Sequence, residues 1–145
     1  MSTICHETYV LDAYAVLCYL KDEPGAEKVS TILKKAVKKR ARIFMTWMNL
    51  GEVYYRVCRE HGEFEAARVL EVIKSWPVEV LPGDECLTIG AARVKASCPL
   101  SYADSYAITA ALRYDADLVT GDPEIRDVAP AIGVPLVWLR SDDAQ

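Results

Sequence analysis

The sequence predicts one α/β domain: a central, mostly parallel sheet of about five short strands flanked by helices. Three observations predict it. Short β-favouring runs alternate along the chain with segments whose apolar residues recur every three or four positions, and strands separated by helices pair in parallel through right-handed crossovers. The 145 residues suit a single core, since a chain of this size buries roughly 70% of its unfolded surface. No interdomain linker, internal repeat or low-complexity tract breaks residues 1–145, so the whole chain reads as one domain.

The elements follow in order. A strand over 8–11 ends at Asp12 and feeds a helix over 13–20. Pro24 suits a first helical turn, and Ala26, Val29, Leu33, Ala36 and Val37 carry a second helix to about residue 40. A strand over 42–46 precedes a helix over 49–61 that closes on Gly62, and the next helix, 64–76, stops at Pro77. A strand over 78–81 is ended by Pro82 and Gly83, and helices over 84–96 and 102–114 flank the loop 98–101. A strand over 117–120, a turn over 121–123 and a last strand over 134–139 complete the chain.

Composition limits the function classes. With 52% hydrophobic and 26% charged residues the chain matches a water-soluble globule, and no apolar stretch approaches the roughly 20 residues that cross a bilayer. The opening MSTICHET lacks a secretory pattern, so the expected location is the cytoplasm. Cys5, Cys18, Cys58, Cys86 and Cys98 show no C-x-x-C spacing and read as reduced packing groups. His6 and His61 stand alone and read as surface or helix-end residues. The net charge of −4 argues against a simple phosphate-coating protein. Yet Lys34, Lys35, Lys38, Lys39, Arg40 and Arg42 are six of the 17 basic residues, leaving 11 elsewhere against 21 acids. That segregation suits a basic approach to an acidic, cation-requiring site, while the dipole at a helix's carboxyl end accounts for the cluster equally well.

Four acids, Asp12, Glu52, Asp104 and Asp122, sit where a strand gives way to a helix or in a helix's first turns. Open α/β sheets gather such positions into one crevice beyond the carboxyl ends of the strands. Each acid also has a structural reading: Asp12 as a cap accepting from Tyr14 or Ala15, Asp104 at capping-box spacing from Ser101, Asp122 as a cap before Pro123, Glu52 as an exposed helix glutamate. Together they point elsewhere. Converging carboxylates repel and protonate unless a cation sits among them, and an all-oxygen donor set suits magnesium or manganese, which in turn suits hydrolysis of a phosphate backbone.

The segments YVLDAYAVLCYL, NLGEVYYRV, LSYADSYAITAAL and DLVTGDPEI resemble the four motifs of PIN-domain ribonucleases, and the chain is most similar to the VapC-type toxins of toxin–antitoxin pairs. The likeness runs from about Tyr9 to Leu139 with the motifs in order. It implies a three-layer fold and a metal-dependent endoribonuclease in which Asp12, Glu52, Asp104 and Asp122 bind Mg2+ or Mn2+, with Glu124 as a possible outer ligand. It also implies RNA as substrate, a cognate antitoxin as partner, and a homodimer. Ile125 departs from the aromatic residue common in relatives, a difference of packing more than chemistry.

Arg56 and Arg59 follow Glu52 by four and seven residues and share its helical face, so they are candidates for holding phosphate, as are Lys38 and Lys39 in the basic cluster. Pairing with Glu60 or Glu63 is the alternative for the arginines. Thr46 and Thr120 end strands beside acids and are candidates for orienting them. Tyr14, Trp47, Tyr54 and Tyr55 are expected in the core or a dimer interface rather than as base-stacking platforms. Two rival functions remain: a catalytically silent PIN-fold module that binds RNA or protein, and an RNA-maturation nuclease without an antitoxin. A haloacid-dehalogenase-type phosphatase is excluded by Tyr14, which stands where a second Asp is needed, and a receiver domain by Leu11 before Asp12.

Overall fold

The computed structural model describes residues 7–141. The strands β1 (Glu7–Leu11), β2 (Ala41–Thr46), β3 (Glu79–Leu81), β4 (Asp117–Thr120) and β5 (Leu136–Trp138) form one sheet in the order β3-β2-β1-β4-β5. Every neighbouring pair is parallel. The central strands are apolar without alternation because both of their faces are covered. Leu11, Ile43, Met45 and Val119 pack into one core, while Val10, Phe44 and Leu118 pack into the other.

Helices supply the two outer layers. On the first face lie α1 (Ala13–Leu20), α2 (Ala26–Val37), α3 (Trp47–His61) and α4 (Glu63–Lys74), which insert Val16, Ile32, Val53 and Ile73. On the second lie α5 (Glu85–Ser97), α6 (Tyr102–Arg113) and α7 (Pro123–Ile132), which insert Leu87, Ile108, Ile125 and Ala129. The buried Ala107, Ala110 and Ala111 give α6 a low surface, so its backbone comes close to the sheet.

Several boundaries differ from those the sequence predicts. The main one is α7, where a turn over 121–123 is expected and a helix follows it. Ile125, Val128, Ala129 and Ile132 are spaced to face the core, Pro123 sits at the first position where its missing N–H costs nothing, and Pro130 falls near the end. Gly133, at φ 87°, then stops the helix in the left-handed conformation. The last strand is cut to Leu136–Trp138 because β4 offers partners only at Leu118, Val119 and Thr120. The second helix ends at Val37, with Lys38 to Arg40 forming a turn in which Lys39 has φ 60°.

Parallel pairing puts Leu11, Thr46, Leu81, Thr120 and Trp138 at one edge of the sheet. The chain builds outward from β1 through β2 to β3, then crosses back to add β4 and β5 on the other side of β1. The reversal lies between β1 and β4, and outside their carboxyl ends the departing helices splay apart and leave a crevice.

Candidate metal centre

Asp12 directly follows β1 and Asp122 follows β4 by two residues, so the two strands flanking the reversal deliver one carboxylate each. Asp12 is 1% exposed, and each of its oxygens accepts one hydrogen bond and keeps a lone pair for the cleft: Oδ1 accepts from Ala15 N at 2.8 Å, capping α1, and Oδ2 accepts from the Thr120 hydroxyl. Thr120 Oγ1 in turn accepts from Asp122 N at 3.0 Å, so one buried hydroxyl ties the two acids together. Asp122 Oδ1 accepts from Glu124 N at 2.9 Å and caps α7. Ser101 caps α6 by accepting from Asp104 N at 3.1 Å, which turns Asp104 into the crevice at 8% exposure. Glu52 comes from α3, with Oε2 3.0 Å from Arg56 Nη2. Capping thus places Asp12 and Asp122 and, through Ser101, Asp104; it does not compete with a role in the crevice.

The four acids line one cleft of about 250 Å³, together with Tyr14, Lys21, Glu23 and Arg56. Among the described residues, Asp104, Asp122 and Glu124 each offer an oxygen within 4.8 Å of the other two. A larger hollow of about 610 Å³ between the end of α1 and α2 contains none of the four. His61 lies 3.8 Å from Glu60 at the far end of α3, and the described cysteines are free; among the described residues, neither histidine nor cysteine lines the cleft. His6 and Cys5 lie outside the described residues.

Crowding shows in proton affinity. Burial lifts Asp12 from 3.8 to about 7 against the hydrogen bonds from Thr120 and Ala15, with Asp104 and Asp122 adding repulsion. Burial also lifts Asp104 to about 7, followed by the charge of Asp122 and, past the countering hydrogen bond from Ser101, that of Glu52. Such a cluster holds one or more protons near neutrality unless a cation replaces them. The donors are all oxygen, which fits a hard divalent ion, so these residues suit magnesium or manganese.

The other sequence candidates divide. Arg56 is at the cleft, paired with Glu52 rather than with Glu60 or Glu63. Arg59 lies over the Tyr55 ring, 4.9 Å from its centroid, one turn away. Lys38 and Lys39 are not brought to the acids: they follow α2 and precede β2, at the amino edge of the sheet. Ile125 is fully buried, so its departure from the motif is absorbed by the core. Tyr14 and Tyr54 pack against the first core, whereas Trp47 and Tyr55 are 42% and 44% exposed.

Three features escaped the sequence reading. Asn49, fully buried, accepts from Thr46 Oγ1 at 2.5 Å and donates Nδ2 to Ala103 O at 3.1 Å, clamping the start of α3 to the first turn of α6 beside Asp104. Only its place three residues after a strand-ending threonine hints at this. Tyr14 fills the space over Gly121, where a Cβ would come within 2.3 Å of the ring, so that glycine is fixed by a close approach. Lys21 sits at the cleft's rim, held by Glu60 at 3.2 Å.

Comparison with known proteins agrees with this fold. Residues 9–130 match the PIN domain family. The fold is similar to VapBC-1 from nontypeable Haemophilus influenzae, with TM-score 0.65, 17% identity, and 91% of this chain and 98% of that one covered. It is also similar to a DNA-bound VapBC from Salmonella typhimurium, with TM-score 0.69, 16% identity, and 92% and 99% covered. VapC20 from Mycobacterium tuberculosis, a toxin that cleaves the sarcin–ricin loop, aligns with TM-score 0.64 at 13% identity over 84% of this chain and 95% of its own. At these identities the likeness is one of fold. No curated protein matches the sequence. With the family's match spanning all four acids and most of the chain, the protein belongs to the PIN domain family.

Proposed function

We propose that this protein is a divalent-metal-dependent endoribonuclease that hydrolyses RNA phosphodiester bonds, and that it is the toxin of a toxin–antitoxin pair. The convergence of Asp12, Glu52, Asp104 and Asp122 on one cleft carries the reading, since residues 92 positions apart, Asp12 and Asp104, have no structural reason to share a buried repulsion. The VapBC complexes among its neighbours of like fold support an antitoxin as partner. A homodimer and a cytoplasmic location complete the proposal.

Asp12, Glu52, Asp104 and Asp122 would hold magnesium or manganese, with Glu124, whose oxygen lies within 4.8 Å of those of Asp104 and Asp122, as a further ligand. A bound ion of this kind supplies a more acidic water and positive charge beside the phosphate. The rest is the work of the chain. Thr120 fixes the Asp12 carboxylate and, through Asp122 N, the turn that carries the next acid. A carboxylate of the cluster, Asp104 foremost because the Ser101-capped turn of α6 holds it at the cleft wall, accepts the attacking water's proton. Arg56, anchored by Glu52 at the rim, presents its remaining N–H groups to a phosphate oxygen.

The test is cleavage of total cellular RNA by wild type and Asp104→Asn in magnesium, with ends mapped. Wild type is expected to cut at discrete sites and to stop reversibly in chelator, and the variant is expected to fold and lose at least a hundredfold in rate, the scale of an acid–base contribution. Equal cutting by the variant removes Asp104 from the reaction. RNA association without cleavage, indifferent to magnesium, instead identifies a silent binding module.

A further inference from the structure

The last strand sets a second group of charges at the carboxyl edge of the sheet. Trp138 pairs with Thr120 in the parallel register, and Leu139 N donates to Thr120 O at 3.0 Å, so β5 ends beside the threonine that holds Asp12. Three cations meet around that end. Lys28 of α2 donates from Nζ to Trp138 O at 2.7 Å, across 110 positions of sequence. Arg126, one turn into α7 after the cap residue Asp122, lies over the Trp138 ring, 4.6 Å from its centroid. Arg140 follows Trp138 by two residues. Burial is the first influence on the hydroxyl of Tyr14, which lines the acid cleft, and the charge of Arg140 is the next, ahead of Cys18, Glu23 and Asp12.

All three residues are exposed, and among the described residues none of them forms an ion pair with an acid. In a chain with 21 acids and a net charge of −4, three cations drawn from separate elements repel one another unless an anion comes between them. Their donors are available for one. A guanidinium stacked by its face keeps its N–H edge free, and an ammonium bonded to one carbonyl keeps two N–H groups.

The geometry points to a second phosphate site at the end of β5: while the scissile phosphodiester meets the four acids, a neighbouring phosphodiester of the same strand is held by Arg126, Lys28 and Arg140. This rests on the nuclease reading and adds a requirement to the substrate, a charged linkage on one flank of the cut. Position favours the strand being cut over a separate anion. Arg126 N donates to Asp122 O at 3.1 Å, so the step from acid to cation is one helical turn, and β5 lies one strand spacing from Thr120. Arg56 comes from α3, which follows β2 on the other side of β1, so Arg56 and Arg126 bracket the acids.

A methylphosphonate linkage keeps the shape of a phosphodiester and removes its charge. Initial rates are measured in magnesium on a short RNA spanning a mapped cut, unmodified or with one such linkage on the 5′ or the 3′ flank. For wild type the neutral linkage is expected to raise KM about tenfold on one flank only, with kcat within twofold, the scale of one hydrogen bond between charged groups. Lys28→Gln with Arg126→Gln is expected to show the raised KM on unmodified RNA and no further rise from the neutral linkage on that flank. Arg126→Lys, which keeps a charge, is expected to lie between. The slope of log KM against log salt is expected to fall by about 0.7 for each contact removed. Particle mass is expected to stay at the wild-type value. No penalty from either neutral linkage, or a penalty as large in the double variant as in wild type, overturns the phosphate site and leaves the nuclease reading intact. A changed particle mass in the double variant assigns the cations to a contact between copies of the chain and also overturns it. A wild type that cuts no RNA sinks both readings together.

Discussion

Replacing Asp104 with asparagine is expected to make the metal-free protein more stable while weakening the proposed metal centre. The carboxyl is only 8% exposed. Burial first, then the charges of Asp122 and Glu52, raise its proton affinity from 3.8 to about 7. At pH 8 the folded chain must still ionise it, at a cost on the order of 4 kcal/mol by the usual 1.36 kcal/mol per pH unit. Water in the cleft mouth and side-chain relaxation reduce the recoverable part to about 2 kcal/mol, or about 4–8 °C in Tm for a chain of this size. The unfolded chain releases this proton near 3.8 and the folded chain near 7, so between those values the folded state binds more protons and wild-type stability falls as pH rises. Above 7 the full cost is present, and below 3.8 it vanishes. Asparagine is neutral throughout, so its advantage in thermal melts run in chelator is largest at pH 8 and gone near pH 4. Adding metal reverses the ranking, because a ligand at a hundred times its Kd stabilises by about 2.7 kcal/mol and wild type has the fuller donor set. An Asp104→Asn protein that melts below wild type in chelator at pH 8, or an advantage that does not vary with pH, refutes the idea that burial and its charged neighbours raise the proton affinity of Asp104.

The remaining predictions concern the supports of the site. Thr120→Val keeps the shape but removes the hydroxyl that serves Asp12 and Asp122 N; urea unfolding is expected to show a loss of about 2 kcal/mol with an unchanged m-value. Gly121→Ala drives a methyl into the Tyr14 ring and is expected to cost about 1–3 kcal/mol, a penalty that a Tyr14→Ala background removes; additive losses in that double-mutant cycle exclude the contact. Lys38→Ala with Lys39→Ala is expected to change KM for RNA less than twofold at physiological salt, where charges beyond about 8 Å are screened, while Arg56→Ala raises it several-fold.

The architecture was legible because strand and helix periodicities do not overlap in this chain, and Asp12 and Asp122 were legible because parallel strands put their ends on one edge. The same geometry places residues 34–42 at the opposite edge, since a helix that leaves the carboxyl end of β1 must return to the amino end of β2 before the next strand begins. Clustered charge along the sequence therefore said nothing of proximity to the acids. The helix α7 was hidden by Gly121, Asp122 and Pro123, which spell a turn, and by Pro130, although Ile125, Val128, Ala129 and Ile132 carry the helical spacing. Asn49 was illegible because its partner, the Ala103 carbonyl, lies 54 residues away, and a side chain's long-range hydrogen bond leaves no mark on local pattern.

The hydroxyl that serves Asp12 belongs to a residue 108 positions later. During synthesis at about 5–20 residues per second, the first acid therefore waits roughly 5 to 20 s for its companion to be made. Until β4 slides in beside β1, the growing chain has neither Asp122 nor the threonine that steadies Asp12, and the cleft has one wall missing. The cleft is therefore complete only once residue 122 has been made, and its four acids cannot meet on any shorter nascent chain.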